Sequence, residues 1–121
     1  MRNRKQALGR WGETQAIVFL SQKGYQIVEQ NVRTPYGEID IIVLKDDVLV
    51  FVEVKTRSTG LFGLPEASIT WEKQEHMLNS AIAYLQEHPD WESDWRIDVI
   101  AIQRRKSGES QIIHFENAIT G

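Results

Sequence analysis

Two acids and a lysine are spaced in a way that suggests chemistry: Asp40, then Glu53-Val54-Lys55. They sit in two runs rich in β-branched residues, Gly37 to Leu44 and Val48 to Arg57, with only Lys45-Asp46-Asp47 between them. Such runs predict two antiparallel strands joined as a hairpin. If Asp46 and Asp47 form a two-residue turn, Asp40 falls opposite Glu53 and Glu38 opposite Lys55. A four-residue loop keeps this register, whereas a three-residue loop breaks it. All four charges then gather at one end of a hairpin that is otherwise apolar.

In that register the Cβ atoms of Asp40 and Glu53 stand roughly 4.5 to 5.5 Å apart. Two carboxylates that close repel each other, and one takes up a proton unless a cation lies between them. A hard, oxygen-seeking ion such as Mg²⁺ suits the gap. Lys55 follows Glu53 by two residues and so projects from the same face. Two acids and an amine on one strand surface suit phosphodiester hydrolysis, in which a metal polarises the phosphate and activates water while an ammonium steadies developing charge.

The flanking elements must hold this hairpin in place. Residues from about Arg4 to Lys23 read as a helix, with Leu8, Trp11 and Val18 on one side, Ala16, Ile17 and Leu20 on another, and Gly24 as its terminator. Glu13 extends the Ala16, Ile17, Leu20 stripe, which either points it toward the sheet or leaves it as an exposed helix glutamate. Tyr25 to Val32 reads as the first strand. Thr70 caps a second helix running to about His88, with Leu78, Ala81, Ile82 and Leu85 as its buried stripe. Trp95 to Gln103 and Ser110 to Glu116 read as two further strands around a turn at Lys106 to Glu109. The expected architecture is one α/β domain over residues 1–121: a helix, three antiparallel strands, a crossover helix and two strands completing a mixed sheet.

Other residues are weaker candidates. Asp98, in Arg96-Ile97-Asp98, echoes Ile39-Asp40 but lacks a following acid-x-lysine, so a structural ion pair with Arg96 is the better reading. His76, His88 and His114 are too scattered for a metal pattern. Trp71, Trp91 and Trp95 read as packing residues. Leu61 and Phe62, in a loop full of Gly and Pro, either touch unstacked bases or tuck onto the core.

With 121 residues the chain is long enough for one real core. It has no cysteine, which excludes disulfides and thiolate chemistry and is compatible with a reducing cytoplasm. No apolar run is long enough for a membrane span. The net charge of −3 is not that of a typical nucleic-acid binder, but it is unevenly spread. Residues 1–65 hold nine basic and seven acidic side chains, whereas 66–98 hold two and eight, so a basic surface near the site can coexist with an acidic remote face. Arg2, Arg4, Lys5 and Arg10 are either phosphate contacts or a solvated basic end.

Asp40 with Glu53-Val54-Lys55 resembles the D…(D/E)-x-K signature of the restriction-endonuclease-like nuclease superfamily, with Ile39 where the older form of the motif has proline. Gly12-Glu13, Asn31-Val32-Arg33, Gly37-Glu38-Ile39-Asp40, Val52 to Arg57, Lys73 and Arg96 to Ile100 together resemble the YraN-like family of small bacterial proteins, related in fold to archaeal Holliday-junction resolvases. The resemblance implies a restriction-endonuclease-like fold, with a central mixed five-stranded sheet flanked by helices. It also implies a Mg²⁺- or Mn²⁺-dependent nuclease acting on DNA, with branched or otherwise structured DNA among the substrates it suggests. Asp40, Glu53 and the Val54 carbonyl would bind metal, Glu13 would add a further acid, and Lys55 would orient or activate water. Glu38 would flank the site. Arg10, Arg33, Thr56, Arg57 and Lys73 would meet nucleic acid. Related resolvases act as dimers, so a homodimer is a further implication. The competing reading is a non-catalytic module that keeps the fold to bind nucleic acid or protein. A two-carboxylate glycosidase would leave Lys55 unexplained.

Overall fold

The structure, a computed structural model, describes residues 3–58 and 69–120. Helix α1 spans Arg4–Gln22, and a capping box not foreseen above opens it. The Asn3 side chain accepts from the Gln6 N–H at 2.8 Å, and the Gln6 side chain accepts from the Asn3 N–H at 3.3 Å, satisfying two donors that a helix start leaves orphaned. Gly24, at φ +89°, ends the helix as expected. Strands β1 (Gln26–Thr34), β2 (Gly37–Lys45) and β3 (Val48–Arg57) follow, then α2 (Trp71–Glu87), β4 (Asp94–Arg104) and β5 (Ser110–Ile119).

The five strands form one sheet in the order β1-β2-β3-β4-β5. Neighbours are antiparallel except β3 and β4, which run parallel with α2 as the crossover between them. Asp46 and Asp47 both adopt left-handed φ, 50° and 62°, so they make the tight two-residue turn that matches strand twist. The register follows: Lys45 faces Val48 and Ile41 faces Val52. The ladder ends there, one pair short of Asp40 and Glu53. Glu38 pairs with Arg33 of β1 rather than with Lys55.

Alternate residues of β3 feed two cores. Val50 and Val52 pack with Ile41, Val43, Ile100 and Ile102 beneath Ala16 and Leu20 of α1. Leu49 and Phe51 pack with Ile42, Ile97 and Val99 beneath Ala81 and Tyr84 of α2. Being covered on both faces is why β3 reads as a nearly unbroken apolar run. The period of two places Glu53 and Lys55 on the Phe51 face, toward α2.

The apolar sides of both helices extend past their buried faces, and the expected buried stripe of α2 shifts. Val18 is 49% exposed and Ile82 is 39% exposed, while Ser80, Ala81 and Tyr84 carry the buried face of α2. Periodicity locates a stripe but not its edges. Trp71 is not a packing residue either, being 75% exposed at the start of α2.

Helix α1 approaches the sheet closely at Gly12, where an added Cβ would overlap the side chain of Thr56. Gly12→Ala therefore forces the helix off β3. It should destabilise the protein by about 1–3 kcal/mol in chemical denaturation, despite alanine's better helix propensity. An unchanged or raised midpoint would contradict this packing.

Candidate active site

The β2–β3 ladder opens at the end where the charges collect. In place of the next strand hydrogen bond, the Val54 N–H donates to Asp40 Oδ2 at 2.8 Å. Asp40 is half-buried and Glu53 only 8% exposed. From α2, the Lys73 ammonium stands 3.9 Å from Glu53 Oε1. Lys55 is half-buried alongside. Three strand side chains and one helix lysine thus share one pocket of charge.

The electrostatics are those of a crowded, poorly solvated acid pair. Burial above all, then the charge of Glu53, pushes the Asp40 carboxyl up to about 8, although the Val54 N–H partly offsets this. Burial also raises Glu53, against the opposing pull of its hydrogen bond with Asp40 and the charges of Lys73 and Lys55. Both shifts favour keeping a proton within the pair. Lys55 moves the other way, down to about 8, through burial first and then through its Lys73 neighbour. An amine near 8 keeps a usable neutral fraction at physiological pH, as a proton acceptor requires.

Glu13 is half-buried on α1, and its charge reaches both acids, raising Asp40 and Glu53 alike. Its carboxylate is held by Asn31, whose Nδ2 donates to Glu13 Oε1 at 2.8 Å and to Glu38 Oε1 at 3.1 Å. Because both partners are carboxylates, the amide nitrogen must be the atom facing them. Asn31 has φ 50° within β1, a left-handed conformation that asparagine tolerates better than most residues. Nothing in the sequence alone marked this residue as the link between the two acids.

The expected nucleic-acid contacts separate into three places. Arg10 and Arg33 line a groove of about 560 Å³ together with Glu13, Asn31 and Glu38. Arg57 is exposed at the end of β3, and Lys73 lies on Glu53. Thr56 turns its hydroxyl inward against Gly12, where among the described residues it has no hydrogen-bond partner. Arg2, the Lys5 side chain, Leu61 and Phe62 lie outside the described residues.

Among the described residues no three Asp, Glu or His side chains converge closely enough to enclose a metal ion. Asp40 and Glu53 do converge, and the crowding of two acids is what a divalent cation would neutralise. Mg²⁺ commonly binds through one or two carboxylates and keeps several waters, so this donor set fits it.

Asp98 proves to be structural, with two partners beyond the expected Arg96. It is fully buried and binds Arg96 Nε at 3.0 Å, His114 Nε2 at 2.7 Å and the Asn117 N–H at 2.8 Å. A register shift in β5 and a left-handed Asn117, φ 52°, aim that N–H inward. Burial pushes the Asp98 carboxyl up, but His114, Arg96 and Asn117 outweigh it and hold it below 3.8. A depressed folded value stabilises the protein above the unfolded value, and that contribution is lost as pH falls through the folded one. Asp98→Asn should cost about 3–5 kcal/mol at neutral pH and much less in acid, as read by denaturant melts across pH. A cost independent of pH would contradict the ion-pair account.

The fold is of the restriction-endonuclease-like class: a central mixed five-stranded sheet flanked by helices, with acids where its hairpin opens. Within that class the chain belongs to the uncharacterised protein family UPF0102, whose family model matches residues 12–102 and takes in Glu13, Asp40, Glu53, Lys55 and Lys73. It is 44% identical to a UPF0102 protein of Syntrophomonas wolfei, over 92% of this chain and 96% of that one. It is also similar to UPF0102 proteins of Chlorobium phaeobacteroides, 50% identical over 78% of this chain and 75% of the relative, and of Alkaliphilus oremlandii, 43% identical over 92% and 96%. No helix among the described residues is long and apolar enough to cross a membrane.

Proposed function

We propose that this protein is a divalent-metal-dependent nuclease that hydrolyses phosphodiester bonds in DNA, with branched or otherwise structured DNA as the substrate to test first. The observation that carries the reading is the pairing of Asp40 and Glu53, both raised by burial, beside a lysine brought down to about 8. A protein needing only a fold or a docking surface has no physical use for two repelling buried acids.

In this reading Asp40, Glu53 and the Val54 carbonyl hold Mg²⁺ or Mn²⁺, and Glu13 adds further negative charge. The ion, when bound, supplies Lewis-acid polarisation of the phosphate and acidifies water. Lys55 orients the attacking water and takes its proton at Nζ. Lys73 sets how basic that amine is, since its positive charge disfavours a second ammonium alongside. Arg57 and the Arg10/Arg33 groove receive phosphates on either side. The reading also places the protein in the cytoplasm, with a homodimer as the form suited to two symmetric cuts.

The competing reading is a non-catalytic binding module, favoured by the net charge of −3. A panel of junction, flap, duplex and single-stranded DNA with Mg²⁺ or Mn²⁺ separates the two. Cleavage of at least one substrate that Lys55→Ala abolishes is expected. No cutting above the Lys55→Ala level on any substrate would leave the module as the better account.

A further inference from the structure

A second groove, of about 660 Å³, runs between the first turns of α1 and the end of β4. Arg4, Arg104, Arg105 and Lys106 line it, with Ser58 at its edge and Ala7 and Leu8 on the helix side. Four cations and no acid among the described residues line this cavity, in a chain that carries three more acids than bases. Among the described residues none of the four is in an ion pair. The Arg105 guanidinium has, among the described residues, a neutral partner, donating to Gln111 Oε1 at 3.2 Å, and Arg104 lies over the Trp11 ring, 5.2 Å from its centre. That stacking holds the guanidinium in place without cancelling its charge.

Position ties the groove to the acid pair. Strands β3 and β4 run in parallel register, with Lys55 beside Ala101 and Arg57 beside Gln103. Arg104 follows directly, so it is offset roughly 10 Å beyond Lys55 along the strand axis, at about 3.3 Å per residue, on the α1 face where Trp11 packs rather than the α2 face that carries Lys55. One DNA strand advances about 3.4 Å per phosphate, so that distance is on the order of three nucleotides. A backbone that passes Lys55 and turns around the sheet end onto the α1 face would bring later phosphates to these cations.

We propose that this groove is a phosphate track holding the DNA flank next to the bond that is cut, an inference that rests on the nuclease reading and names where its substrate lies. Association is then driven by counterion release at Arg4, Arg104, Arg105 and Lys106 despite the overall negative charge.

The test measures DNA binding against salt for full-length protein carrying Asp40→Asn, so that nothing is cut. Adding Arg104→Gln, Arg105→Gln and Lys106→Gln together should flatten the plot of log affinity against log salt by about 2 to 3. Because Arg104 also packs on Trp11, a second variant changes only Arg105→Gln and Lys106→Gln in the exposed turn, with an expected flattening of about 1 to 2. Lys23→Gln, at the other end of α1, should leave the slope unchanged. A triple variant that melts like its parent and keeps the parent's slope overturns the groove, as does a parent that binds no DNA at any salt. If the wild type still cuts DNA while the slope is unmoved, only the groove fails. If the slope falls but nothing is ever cut, only the nuclease reading fails.

Discussion

Lys55→Ala should lower the rate of DNA cleavage by about 10²–10⁴-fold while leaving DNA affinity within a few-fold of the wild type, the loss expected when a positioned proton acceptor is removed. The size follows from where the amine sits. Burial and Lys73 bring it down to about 8, so near neutrality part of it is neutral and able to accept a proton. Cleavage should accordingly rise with pH and level off above about 8, as the neutral fraction saturates. Lys55→Arg sharpens the test, because a guanidinium keeps the charge and does not deprotonate. An arginine variant with near-normal activity would mean that the residue supplies only positive charge, and the proton must then leave by another route. Lys73→Ala should shift the pH profile upward, since the amine of Lys55 regains basicity when its cationic neighbour is gone.

Asp40→Asn should have opposite effects on stability with and without metal. In the metal-free protein the Asp40 carboxyl is raised from 3.8 to about 8. A raised folded value means that the stability tied to the proton is complete below about 3.8 and drains away as pH rises through about 8. Asparagine stays neutral throughout, so the variant should match wild type in acid and exceed it above pH 8, by about 1–3 kcal/mol once solvent at this half-buried group is allowed for. Mg²⁺ or Mn²⁺ should reverse the order: the wild type gains stability by mass action and the variant does not. Thermal melts over pH, with and without metal, read both effects. A variant less stable than wild type in metal-free buffer at high pH would show that Asp40 is a settled structural acid like Asp98.

The contrast between Asp40 and Asp98 shows what the sequence could carry. Each sits in an Ile-Asp step within an apolar strand. Asp40 was distinguishable because a two-residue turn sets β2 against β3 and brings Glu53 beside it, all within some twenty residues of chain. The partners of Asp98 come from β5, through a register shift and a left-handed Asn117 that no local pattern announces. Its His114 partner is 16 residues away and was legible only as one scattered histidine.

The same limit explains Asn31. It links Glu13 on α1 to Glu38 on β2, and that bridge exists only once helix and hairpin have packed. Lys73 was legible as a cation near the site but not as the partner of Glu53, because the rotation of α2 decides it. Helix rotation also takes Ile82 out of the expected buried stripe of α2, since a period of 3.6 leaves the edge residues undetermined. The sheet order was easier. One short turn fixes the antiparallel hairpin, and a helix between β3 and β4 makes their parallel pairing the economical connection.

The central claim is that two strand carboxylates are held together to bind a divalent ion. Calorimetric titration of the metal-free protein with Mn²⁺ addresses it without reference to any substrate. Saturable binding is expected in the wild type and in Lys55→Ala, and its loss in Asp40→Asn and Glu53→Gln. A wild type that takes up no ion, or uptake that both acid-to-amide variants leave unchanged, would contradict the account.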